Sequence, residues 1–137
     1  MLEKVVLAVD GSAPSDRATA VAADIAKGFG SELIVINVRE TEIFWRGAVE
    51  LETPDEASEL VDETVRRLKD AGISARGEVH PAIYGRAARV ILELASEEGA
   101  DLIVLGSRGL SDLAGLVLGS VTHKVLHLAH CPVLVVR

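Results

Sequence analysis

Ala100-Asp101-Leu102-Ile103-Val104-Leu105-Gly106-Ser107-Arg108-Gly109 decides how this chain folds. The run Asp101–Leu105 is too short for a stable helix, and after its first residue nothing polar is left to face water. That is the pattern of a strand buried on both faces, as in parallel sheets. Gly106 and Gly109 break it. Working outward, Val5–Val9 repeats the pattern and is stopped by Asp10-Gly11-Ser12, and Leu33–Val38 repeats it again. Ile73–Val79 alternates more weakly, and Pro81 argues against strand continuing far past it. Pro132–Val136 closes the series, with proline at the first strand position, where it is tolerated.

Helical patterns fill the gaps. Pro14–Phe29 places Ala18, Val21, Ala22, Ile25 and Phe29 on one face, with Gly28 and Gly30 as stop signals. Thr53-Pro54-Asp55-Glu56 is a capping-box start, and Ala57, Leu60, Val61, Thr64, Val65 and Leu68 keep helical period up to Gly72. Arg86–Glu98 follows Gly85 and turns Val90, Ile91, Leu94 and Ala95 inward, and Ser120–Ala129 forms the last helix. Arg39–Leu51 has no period and is predicted as an irregular loop carrying Phe44 and Trp45, set to cover a pocket, an interface or the core. Gly106–Leu118 is predicted as a Gly/Ser-rich loop. Strict alternation of strand and helix predicts an α/β fold with a single open parallel sheet and helices on both faces. The 137 residues fit one domain, 1–137.

Composition agrees and narrows the function. The chain is 49% hydrophobic but only 3% aromatic, so its core must be aliphatic. A net charge of −7 repels a phosphate backbone and argues against nucleic-acid binding. The single cysteine, Cys131, precludes an intrachain disulfide and suits a reducing compartment. Met1-Leu2-Glu3-Lys4 runs directly into a strand without the features of a signal peptide, and no apolar run reaches membrane-span length. A cytoplasmic protein with no membrane association is expected.

In open parallel sheets, ligands bind beyond the carboxyl ends of the strands, where the strand order reverses. Two exits are marked by glycine: Asp10-Gly11-Ser12 and Gly106-Ser107-Arg108-Gly109. The second belongs to a longer pattern, Gly106-x2-Gly109-x9-Gly119-Ser120, that opens the last helix. Glycines permit close approach of backbone, helix N-termini attract anions, and the hydroxyls of Ser120 and Thr122 are further donors. No Walker A loop occurs, and the glycines do not follow strand one as in a dinucleotide fingerprint. Asp10 taken alone reads more readily as a turn or helix-capping residue. His123 and His127 lie one turn apart with no third metal ligand in sight, and no partner can be named for His80. Cys131 beside Pro132 reads as a small buried side chain.

Taken together, these segments resemble the ATP-binding universal stress proteins: the glycine pattern, the opening Val5–Ser12, the strand Ala100–Gly109 and the closing His130–Val136 all match in order. The resemblance implies an adenine-nucleotide alpha-hydrolase-like fold, five parallel strands in the order 3-2-1-4-5. It implies that Ala8, Asp10 and Val38 line the adenine and ribose end, with Gly106, Arg108, Gly109, Gly119, Ser120, Val121 and Thr122 around the ribose and phosphates, and Gly11 also among the ATP-binding residues. ATP is the expected ligand, with Mg2+ or Mn2+ carried mainly on its phosphates and Asp10 as the protein carboxylate nearest the metal. A homodimer through the edge strand Val133–Val136 is also implied. The family often has Gly-x-Pro-Ala before its third helix; here Gly85-Arg86-Ala87-Ala88 lacks the proline. The expected role is a nucleotide-dependent regulatory module without an evident catalytic base. A slow ATPase or nucleotidyl-transfer enzyme, and a family member acting only through protein contacts, are the alternatives.

Overall fold

The computed structural model describes residues 1–45, 47–50, 52–109 and 118–137. The parts of the two predicted loops that fall on 46, 51 and 110–117 lie outside the described residues. Five parallel strands, β1 (Lys4–Ala8), β2 (Glu32–Phe44), β4 (Ala75–Ile83), β5 (Leu102–Gly106) and β6 (Val133–Val136), take the spatial order β4-β2-β1-β5-β6. This is the predicted order 3-2-1-4-5, with one addition. A sixth strand, β3 (Gly47–Glu50), pairs antiparallel with the far end of β2, Thr41 opposite Glu50 and Phe44 opposite Gly47.

The strands form because their residues can be buried on both faces. Val5, Val6, Leu7, Leu33, Ile34, Val35, Ile36 and Val104 are fully inaccessible. Each such side chain contributes about 1.5–3 kcal/mol of transfer free energy. Alternation along the strands splits the core in two. Val5, Leu7, Leu33, Val35 and Val104 face α1 (Ala13–Phe29) and α2 (Pro54–Asp70). Val6, Ile34, Ile36, Ile103 and Leu105 face α3 (Ala87–Glu98) and α4 (Ser120–Leu128). From β1 the chain moves outward to β2 and β4 with α1 and α2 on one face. It then returns through α3 to β5 and leaves through α4 on the other. The reversal point therefore lies between β1 and β5.

Helix ends follow their caps. Ser12 accepts the Ser15 amide at 3.3 Å, and Thr53 accepts the Glu56 amide at 3.2 Å. Gly30 and Gly99 close α1 and α3 in the left-handed conformation. At Gly77 on β4 an added Cβ would lie 2.2 Å from Val61 Cγ1, so α2 packs against bare backbone there.

Three local expectations are corrected. The segment predicted as an irregular loop from Arg39 is the β2–β3 hairpin. The run Arg39–Leu51 carries no hydrophobic period in the sequence, so period alone does not reveal it. Strand β4 continues through Pro81, opposite Arg39, to Ile83. Among the described residues β4 pairs only with β2, and a missing N–H is tolerated on such an edge. Phe29, expected inward, is 61% exposed; α1 turns Ser15, Ala18, Ala22 and Ala26 to the core instead. No helix among the described residues is long and apolar enough to cross a membrane.

Candidate functional site

At the reversal point a cavity of about 290 Å³ opens beyond the strand ends, on the side of α3 and α4. Its floor is apolar: Ala8 and Val9 from β1 and its exit, Ile36 and Val38 from β2, Leu105 from β5, and Ala87 and Ile91 from α3. Asp10, Ser15, Glu40 and Glu52 add polar groups on one side; Gly106, Arg108, Gly109, Val121 and Thr122 form the other.

Two loops far apart in sequence build this site together. Ser12 Oγ donates to the Arg108 carbonyl at 3.4 Å, joining the exit of β1 to that of β5. At Gly106 an added Cβ would lie 2.8 Å from Pro14 C and 2.9 Å from Ser15 N. The first turn of α1 is thus seated directly on the end of β5, and only glycine leaves room for it. Its φ is not positive, so space rather than conformation demands glycine at this position.

Asp10 makes the turn that its sequence context allows. Its Oδ1 accepts the Ser12 amide at 2.9 Å, an Asx turn made possible by Gly11 at φ +83°, and its own amide donates to Ser15 Oγ at 3.0 Å. The same residue lines the cavity. Opposite it, α4 starts at Gly119, which has no side chain to cap it. The Gly119 amide donates to the Ser107 carbonyl at 2.7 Å, which pins the loop to the end of β5. The next amides, of Ser120, Val121 and Thr122, have no acceptor within the helix and leave partial positive charge at its mouth. Thr122 Oγ1, buried, donates to the Gly106 carbonyl at 2.7 Å, so that hydroxyl braces the strand end.

Of the expected site residues, Ala8, Asp10, Val38, Gly106, Arg108, Gly109, Val121 and Thr122 come together on the cavity wall. Gly11, Gly119 and Ser120 do not line it; they shape the turn after β1 and the start of α4. Glu40 and Glu52 are cavity residues that sequence reasoning missed. Glu40 carried a usable signal, since Ile36, Val38 and Glu40 are alternate residues of one strand and share a face. Glu52 carried none, because only the hairpin brings it back. Burial holds the Glu52 carboxyl above the usual carboxylate range, against a hydrogen bond from Asn37, and the neighbouring Asp10 and Glu56 carboxylates push the same way. Glu40 Oε2 accepts the Gly85 amide at 2.7 Å and ties β2 to the loop before α3. No three His, Cys, Asp or Glu side chains among the described residues converge closely enough to hold a metal ion. His123 and His127 stack at 5.5 Å on the exposed side of α4.

The Universal stress protein family model matches residues 1–137. Universal stress protein YxiE of Bacillus subtilis is 36% identical over 151 residues, covering all of both chains. A universal stress protein solved in complex with cAMP is 31% identical, with a TM-score of 0.70 over 98% of this chain and 97% of that one. The universal stress protein of Archaeoglobus fulgidus, solved in complex with dAMP, is 27% identical, with a TM-score of 0.69 over 100% and 98%.

Proposed function

Because this chain belongs to the universal stress protein family, we propose that it is an adenine-nucleotide-binding regulatory module whose ligand is ATP. One observation carries the reading: a single cavity has an apolar floor at Ile36, Val38 and Ile91 and, at its other side, the uncapped start of α4 beside Gly106, Arg108 and Gly109. A purine fits the first environment and a phosphate the second. The relatives solved with cAMP and dAMP support an adenine nucleotide as the class of ligand.

On this reading the amides of Ser120, Val121 and Thr122 receive phosphate oxygens, and the Val38 backbone meets the adenine edge. Gly119 and Thr122 act by holding the loop and the end of β5 in place. Asp10 is the carboxylate available to a Mg2+ or Mn2+ ion, which is carried chiefly by the nucleotide phosphates. Binding with slow or no turnover is expected on this reading. Function as a cytoplasmic homodimer completes the proposal. Strand β6 pairs only with β5 among the described residues, and its outer edge offers unpaired backbone to a second copy.

Isothermal titration of the purified protein with ATP, ADP and AMP is the test. Saturable binding of at least one supports the module; no saturable heat for any of the three refutes it. ATP hydrolysis that disappears in Asp10→Ala, with folding retained, would favour the slow-ATPase reading instead. A monomer by light scattering at micromolar concentration would refute the dimer.

A further inference from the structure

The β2–β3 hairpin does more than lengthen a strand. At Thr41, β2 is paired on both edges, with Ile83 of β4 on one side and Glu50 of β3 on the other. β3 therefore takes the edge of β2 that β1 occupies lower down, and it stands beyond the carboxyl end of β1. The residues at its two feet are Glu40 and Glu52, and both line that cavity together with Asp10. The three carboxylates are not gathered as a metal site. They are instead separate acceptors on one side of the cavity. Asn37, 1% exposed, reaches the Glu52 carboxylate with its side-chain amide and also donates from Nδ2 to the Val9 carbonyl at 2.9 Å, while its Oδ1 is buried with no donor. The cavity is thus polarised, with helix-end amides and Arg108 on one side and carboxylates on the other.

We propose that Glu40 and Glu52 are specificity determinants that accept hydrogen bonds from the hydroxyl or amino groups of the bound nucleoside and exclude ligands carrying a second phosphate on the ribose. This inference rests on the nucleotide reading above. Carboxylates accept from ribose hydroxyls in other sheets of parallel strands, where a phosphate at the same ribose position requires an arginine instead. Here the positions are acidic, and a ribose phosphate would sit against two negative charges in a half-desolvated cleft.

The experiment compares AMP with adenosine 2′,5′-bisphosphate and adenosine 3′,5′-bisphosphate by titration calorimetry, using the full chain, Glu52→Gln and Glu40→Gln. Thermal melts confirm that each variant is folded. Like-charge repulsion at this range, screened by salt, predicts that both bisphosphates bind about tenfold or more weakly than AMP. The ratio should narrow by about threefold or more in either variant, since each removes one charge and keeps the side-chain shape. Bisphosphates binding as tightly as AMP, or an unchanged ratio in both variants, would overturn the inference and leave the nucleotide reading standing. Failure of AMP, ATP and both bisphosphates to bind the unmodified chain would overturn both.

Discussion

Substituting Gly106 by alanine tests the seating of α1 on β5, on which the whole cavity depends. The new Cβ would lie 2.8 Å from Pro14 C, 2.9 Å from Pro14 Cβ and 2.9 Å from Ser15 N. Carbon contacts are comfortable at about 3.5–4.0 Å, so the overlap is roughly 0.6 Å or more against three atoms at once. Two of these are backbone, in a turn held by Ser12 Oγ to the Ser15 amide, Ser15 Oγ to the Asp10 amide and Ser12 Oγ to Arg108. Relief therefore requires moving the start of α1 and straining those bonds. Overpacking of this kind costs about 1–3 kcal/mol, and the loss of one hydrogen bond adds roughly 1 kcal/mol. A total near 3 kcal/mol lowers the melting temperature of a chain this long by about 10 °C.

Gly30→Ala is the control. Gly30 has φ +70° and nothing within 4 Å of an added Cβ, so it incurs only left-handed strain, about 1–2 kcal/mol. Melting followed by far-ultraviolet circular dichroism, with urea unfolding for the free energies, gives both numbers. Gly106→Ala melting within about 2 °C of the parent, or less destabilised than Gly30→Ala, would refute the steric argument. The glycine would then answer to the ligand alone.

Thr122→Val keeps the shape of a buried side chain but leaves the Gly106 carbonyl without its 2.7 Å donor. It should cost about 1–3 kcal/mol in urea unfolding, with Thr122→Ser recovering much of that; equal effects of the two would contradict the brace. Glu52 sets a pH dependence of the opposite sign to an ordinary ion-paired carboxylate. Burial raises its folded-state pKa above the ordinary 4.5, so between those values the native state holds more protons than the unfolded chain. Its contribution to stability therefore falls as pH rises from the unfolded value through the folded one. Glu52→Gln should lessen that fall and be neutral or stabilising at pH 7; a variant that is destabilised only at neutral pH would show that the charged form is the favoured one.

What could be read directly from the residues was local in origin. Continuous Val, Ile and Leu runs of strand length can be satisfied only inside a sheet covered on both faces. Ser12, Thr53 and Gly30 announce helix ends by chemistry confined to one turn. The glycine-marked exits lie at the end of the sheet where the cavity opens, and Asp10, Val38, Gly106 and Thr122 line it. Phe29 and Pro81 misled because local pattern is blind to where a helix stops meeting the core and to which edge of a strand lacks a neighbour.

The rest belongs to the tertiary structure. That Gly106 is glycine because Pro14 and Ser15 lie against it is a contact across more than ninety residues, invisible to any window of sequence. The same holds for Glu52, which looks like a solvated residue before a helix cap until the β2–β3 hairpin returns it to Asn37 and Asp10. Hydrophobic period and capping act within a few residues and so leave their mark in order along the chain. Steric exclusion, charge repulsion and shared hydrogen bonds act through space, and only the folded backbone says which residues they join.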